Sequence, residues 1–188
     1  TNIHSIRGED LGAEPTPIAV TGDWISPTQV YPLGNIKTLT VISLGGMPYY
    51  RIQPAEGELI LANAITGDRR GELSQEEAIA LARQSLIPEA EVVGVAYLTS
   101  AEVGPHHEYR EHPLPVWQVE FDHPSHLRVY VSARAASVET FRNRSWRIFD
   151  FLWMMHTMDY LGRDNINNPL LRVFSLLALS VVVSGFAL

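Results

Sequence analysis

The chain has 188 residues, room for one ordinary domain or two very small ones, and its 14 Lys+Arg stand against 21 Asp+Glu for a formal charge of −7. The basic residues up to Arg128 are scattered among acids instead of clustered, which excludes a nucleic-acid binder built on a phosphate footprint. The absence of cysteine excludes disulfide staples, zinc ribbons and thiol chemistry, and leaves the compartment open.

In chain order, the opening TNIHSIRGED lacks the charged stretch and apolar run of a signal peptide, so a leader or a preceding helix is expected to have been removed. WISPTQVYPL predicts a helix of about two turns, capped by Ser26 and ended by Pro32 and Gly34. LTVIS at residues 39–43 reads as a strand. It is followed at 48–68 by PYYRIQPAEGELILANAITGD, an alternating apolar-aromatic strand, a polar turn and a second strand. ELSQEEAIALARQSLIPEA predicts a helix with Ser74 and Glu77 as a capping box and an apolar stripe of Ala78, Ile79, Leu81, Ala82 and Leu86, ended by Pro88. VVGVAYL at 92–98 is a further strand. PVWQVEFDHPSHLRVYVSARAAS at 115–137 then repeats the pattern of 48–68: Tyr50 corresponds to Trp117 and Ile52 to Val119 at an offset of 67, and Asn63 to Ser132 at 69, because the second turn is longer. Trp117, Val119 and Phe121, then Leu127, Val129 and Val131, alternate as a half-buried hairpin requires. The order short helix, three strands, helix, three strands predicts an α+β fold with helices on one face of antiparallel sheet.

LSQEEAIALA, a strand, LPVWQVEF, a turn and LRVYVSARAASVETF together resemble the PepSY domain, an Ala-rich helix followed by a hairpin ending in a Tyr-Val-Asp-Ala-x-Thr-Gly-like turn. ANAITGD at 62–68 keeps the Thr-Gly of that turn; in the second copy Ser132 stands in the Asp place and Ala136 in the Gly place. The following WRIFDFLWMMHTMDYLGRDNINNPLLRVFSLLALS resembles the segment joining a PepSY region to the last membrane helix in the membrane-anchored branch of that family. The resemblance covers most of residues 36–188. It implies a duplicated PepSY-like domain on the extracytoplasmic side of a bacterial cytoplasmic (inner) membrane. It also implies an N-terminal membrane helix that this sequence does not show, so the chain is expected to be a piece of a longer one. PepSY units accompany protease propeptides, extracytoplasmic regulators and iron-linked membrane reductases, and a fold shared by such settings leaves function open.

Histidine is the richest source of metal or acid-base chemistry, at His4, His106, His107, His112, His123, His126 and His156. HHEYREH and HPSH invite a zinc reading, but His112 precedes the strand 116–121 while His123 and His126 follow it. That puts about 20 Å between them and predicts surface loops in place of one compact metal site. No serine lies in a nucleophile-elbow context, and no P-loop or GxGxxG pattern occurs, so the chain is read as non-enzymatic.

Beyond Arg147 charges thin to Asp150, Asp159, Arg163, Asp164 and Arg172, and from Val173 to Leu188 there are none. Those last 16 residues rise about 24 Å as a helix, and about 28 Å with Leu170 to Arg172, against a hydrocarbon core of about 30 Å. The chain is therefore expected to stop inside its anchor. In SWRIFDFLWMMHTMDY the residues Trp146, Phe149, Trp153, His156 and Tyr160 share one broad helical face beside Arg142, Arg144 and Arg147. Trp146, Phe149, Trp153 and Tyr160 are thus membrane-interface residues, with core packing against the sheet as the alternative.

The resulting organisation is an N-terminal segment at 1–35, the duplicated domain at 36–141, an amphipathic interfacial segment at 142–168 and a transmembrane helix at 169–188. The expected function is a membrane-anchored, non-enzymatic binding or regulatory module without a cofactor, with membrane lipid and another membrane or periplasmic protein as partners. The alternative is a subunit of a transmembrane redox system that holds haem through His156.

Overall fold

The computed structural model describes residues 6, 9–13, 22–87, 89–160 and 165–187. His4, Pro88, Arg163, Asp164 and Leu188 lie outside them. The architecture is α+β. Strands β1 (Ile36–Leu44), β2 (Met47–Pro54), β3 (Ile60–Asn63) and β4 (Arg69–Arg70) form one antiparallel sheet in sequential order. Strands β5 (Val92–Leu98), β6 (Val116–Phe121), β7 (Arg128–Ser132) and β8 (Ser137–Arg142) form a second. The helices are α1 (Pro27–Val30), α2 (Gln75–Gln84), α3 (Arg144–Thr157) and α4 (Pro169–Ala187).

Each sheet has four strands where three were expected. β4 is two arginines, too short to carry a period, and β8 shows no apolar alternation because all but its last residue are half-buried. The first helix is a single turn instead of two: Ser26 caps it through the Thr28 N–H as expected, but Tyr31 is already extended. The helices also do not share one face of one sheet, since α1 packs on the outer face of the first sheet and α2 lies between the two sheets.

The pairing registers of the two sheets run in step. Tyr50 faces Ala62 and Trp117 faces Val131; Ala62 faces Arg69 and Val131 faces Val138. The first ladder slips between Ile36 and Thr38 opposite Pro54 and Gln53, and the second between Val92 and Gly94 opposite Phe121 and Glu120. At the β3–β4 turn Gly67 is left-handed (φ 82°), and at the β7–β8 turn Ala136 is too (φ 50°).

Strand alternation sorts the side chains into three clusters. The largest lies between the sheets around α2: Ala78, Ala82 and Leu86 meet Val119, Phe121, Leu127, Val129 and Val131 from one sheet and Leu44 and Leu61 from the other. The opposite face of the first sheet packs Tyr50, Ile52, Ala62 and Ala64 against Val30 of α1. The opposite face of the second packs Val116 and Tyr130 against Leu98 and Tyr109. α2 begins where the sequence says it should: the Ser74 hydroxyl accepts from the Glu77 N–H, and the Glu77 carboxylate accepts from the Ser74 N–H at 2.9 Å. Arg70 of β4 grips the same carboxylate at 2.9 and 2.6 Å and so joins the first sheet to the helix.

Candidate functional site

The connection from β5 to β6, residues 99–115, carries HHEYREH and covers the outer face of the second sheet. It is a surface loop, with His106 and Glu111 exposed, anchored by one buried ring. Tyr109 is fully buried, with its ring stacked 4.6 Å from Tyr130 on one side and 4.9 Å from His112 on the other. The Tyr109 hydroxyl donates to the Pro113 carbonyl at 2.9 Å, and its backbone N–H donates to Nδ1 of His107. Burial pushes the Tyr109 and Tyr130 hydroxyls well above their ordinary titration range.

Glu108 is the hub of this loop, with its side chain 11% exposed. Arg147 of α3 donates to it from Nε at 2.7 Å, Arg128 of β7 from a terminal nitrogen at 3.1 Å, and the Tyr130 hydroxyl at 2.7 Å. Burial works to raise the Glu108 carboxyl, but Arg147, Tyr130 and Arg128 together outweigh it and hold it below the usual carboxylate range. Next to it Arg110 pairs with Asp150 of α3 at 2.9 Å, both side chains largely buried. Arg142 donates from Nε to the Glu108 carbonyl, reaches Nε2 of His112 at 3.2 Å and Thr140, and lies 4.3 Å over the Trp146 ring. His107 and His112 are both lowered, chiefly by burial, which favours the neutral imidazole.

These contacts decide which way α3 faces. Its inward side carries Arg147, Asp150 and Thr157, with Asp150 and Thr157 buried. Its outward side carries Ile148, Phe149, Phe151, Leu152, Trp153 and Met155, with Leu152 56% and Phe151 53% exposed. At about 100° per residue these span about 200° of the helix circumference. This is the reverse of a soluble surface helix, which turns its apolar stripe to the core.

Of the residues expected at a membrane surface, Phe149, Trp153 and Tyr160 are exposed on or just beyond this outward arc. Trp146 begins the same row of rings, 5.8 Å from Phe149, which in turn lies 6.3 Å from Trp153, but it is half-buried beneath Arg142. His156 is exposed on the arc with its ring 5.9 Å from Trp153, and Asp159 accepts from the Asn165 N–H instead of holding His156. Among the described residues, no group of three or more His, Asp or Glu side chains gathers to hold a metal ion.

α3 ends at Met158 in the left-handed conformation, and Asn168 ties its last residues to the start of α4. The Asn168 amide donates to the carbonyls of Thr157 (2.8 Å) and Asn165 (2.9 Å), while its oxygen accepts from the Leu171 N–H at the start of α4. α4 is long and apolar enough to cross a membrane, and none of residues 169–186 is buried against the protein. Its three serines return their hydroxyls to carbonyls of the preceding turn, Ser175 to Leu171, Ser180 to Leu176 and Ser184 to Val181, each at 2.8 Å. No hydroxyl proton is left needing water, as a hydrocarbon environment demands.

Glu108, Arg110, Arg142 and Asp150 escape a sequence reading because each pairs with a residue far along the chain. The available signal was the alternation of acids and bases in HHEYREH set against the arginines at 142, 144 and 147. No family model, curated protein or solved structure matches this chain.

Proposed function

We propose that this chain is the membrane-held part of an extracytoplasmic PepSY-type module that binds or regulates another membrane or periplasmic protein and carries out no chemistry of its own. One observation carries the reading. α3 turns its polar side to the domain and its apolar side outward, and through the Asn168 turn it is continuous with an apolar helix that has no protein around it. Lipid is the apolar phase that accepts both. The step-for-step registers of the two sheets support their reading as two copies of one PepSY-like unit.

Sidedness is tested by labelling a single introduced cysteine, since the chain has none of its own. Glu56→Cys, on the exposed β2–β3 turn, is expected to react with a membrane-impermeant maleimide in intact cells. Reaction only after the membrane is opened would place the domain inside and end the extracytoplasmic reading. Removing residues 169–188 is expected to weaken membrane association without abolishing it, because burying several of the large side chains of α3 at about 1.5–3 kcal/mol each supports reversible binding. A wholly soluble truncated chain would remove α3 from the membrane surface.

A haem-linked redox subunit is the second reading, favoured by the exposed imidazole of His156 on the outward arc. A Soret band in the purified full-length protein that disappears in His156→Ala would select it; no band in either form would eliminate it.

A further inference from the structure

The outward surface of the two terminal helices differs in charge from the rest of the chain. Residues 142–188 hold five arginines (142, 144, 147, 163 and 172) against three aspartates (150, 159 and 164), a balance of +2, while residues 1–141 carry −9. The two described aspartates are both turned inward and used. Asp150 pairs with Arg110, and Asp159 accepts from the Asn165 N–H. Arg142 and Arg147 are likewise engaged with the domain. Arg144 and Arg172 remain, both exposed. Among the described residues no carboxylate pairs with either: Arg172 donates only to the Asn167 amide oxygen at 2.9 Å, and for Arg144 only the backbone N–H is used, by the Ser125 carbonyl.

Arg144 also has a specific place. It stands four residues before Ile148 and seven before Phe151, on the outward apolar arc of α3 at the end nearest the domain. Its aliphatic stem can lie along that arc while the guanidinium stays at the polar level, the arrangement long cationic side chains adopt at a membrane surface.

We propose that α3 lies in the plane of the bilayer surface and selects anionic phospholipid, with Arg144 taking a lipid phosphate and Arg172 supporting it at the mouth of α4. This rests on the membrane reading above and adds a lipid class to it. An acidic domain is repelled by an anionic leaflet, and the two arginines supply the opposing attraction where the chain meets the lipid. Each basic side chain near an anionic surface is worth about fivefold in partition.

The test uses the full chain in lipid nanodiscs and reads Trp153, the exposed tryptophan of the arc, by fluorescence quenching with brominated phospholipids. The Trp153→Phe protein supplies the background of the other three tryptophans. In phosphatidylcholine discs doped with brominated phosphatidylglycerol, Trp153 is expected to be quenched more strongly than with brominated phosphatidylcholine at equal content. Arg144→Gln should cut that preference about fivefold, and raised salt should erode it. Equal quenching by both lipids overturns the anionic preference and leaves the membrane reading standing. No quenching by either overturns both.

Discussion

Arg147 on α3 donates to Glu108 at 2.7 Å across 39 residues of sequence, and this contact ties α3 to the loop covering the second sheet. The same carboxylate holds Arg128 and Tyr130, so the helix, the loop and β7 meet on one side chain.

Replacing Glu108 with Gln removes the carboxylate of Arg147 and one of the two held by Arg128, which keeps Glu120 at 3.3 Å. Breaking a buried pair from one side costs about 3–5 kcal/mol, but Arg128 and Arg147 are each about a third exposed and can rehydrate in part. The expected loss is about 2–3 kcal/mol, with faster hydrogen exchange concentrated in α3. Chemical denaturation in detergent measures the first; a loss of under about 0.5 kcal/mol would show that the hub does not hold the helix.

Acid should act in two stages. Burial lowers His107 and His112, so their contribution is fully present above the ordinary histidine value and is lost as pH falls from there through their folded values. The groups facing His112 are Arg142, Glu139, Glu111 and Arg110; those facing His107 are Glu108 and Arg128. Glu108, Glu77 and Glu72 are also lowered, so a second loss follows below the usual carboxylate range. A melting curve followed against pH should be flat above neutrality and decline in these two steps. His107→Asn with His112→Gln should remove the first step and keep the second.

The start of α2 offers an internal ranking. Ser74→Ala removes a cap and is expected to cost about 1 kcal/mol. Glu77→Ala should cost more, since it removes half of the capping box together with both Arg70 contacts. Equal costs in denaturant titrations would show that Arg70 contributes nothing to joining the first sheet to the helix.

Asn168→Ala deletes the cap of α4 and the bond that holds the Thr157 carbonyl. A cap is worth about 1 kcal/mol, so the amides of Leu171 and Arg172 should exchange about fivefold faster in nanodiscs. Unchanged exchange would mean that the turn is held without Asn168.

The α2 cap, the two hairpins and the terminal apolar helix were legible because each is a local pattern: a capping box, an alternation of period two and an uninterrupted apolar run. β4 and β8 were not, since Arg69–Arg70 and SVETFR become strands only by pairing with β3 and β7. The outward residues of α3 were half legible. Helical spacing gathered Trp146, Phe149, Trp153 and His156 into one row of rings, but it gave no sign that the Arg142 guanidinium lies over Trp146 and leaves that indole half-buried.

By itself, the sequence determined an α+β chain with two hairpins and an apolar C-terminal helix, because apolar periodicity and helix caps act between residues a few positions apart. Tertiary structure alone decided that HHEYREH is anchored through the buried Tyr109 and the ion pairs of Glu108 and Arg110, and that α3 faces outward with its apolar side. Both follow from charged side chains taken out of water, which must find partners wherever the fold brings them: Glu108 found Arg128 and Arg147, and Asp150 found Arg110. Partners 20 to 40 positions apart leave no periodic trace in the chain, and the helix direction they impose can be read only once those side chains stand together.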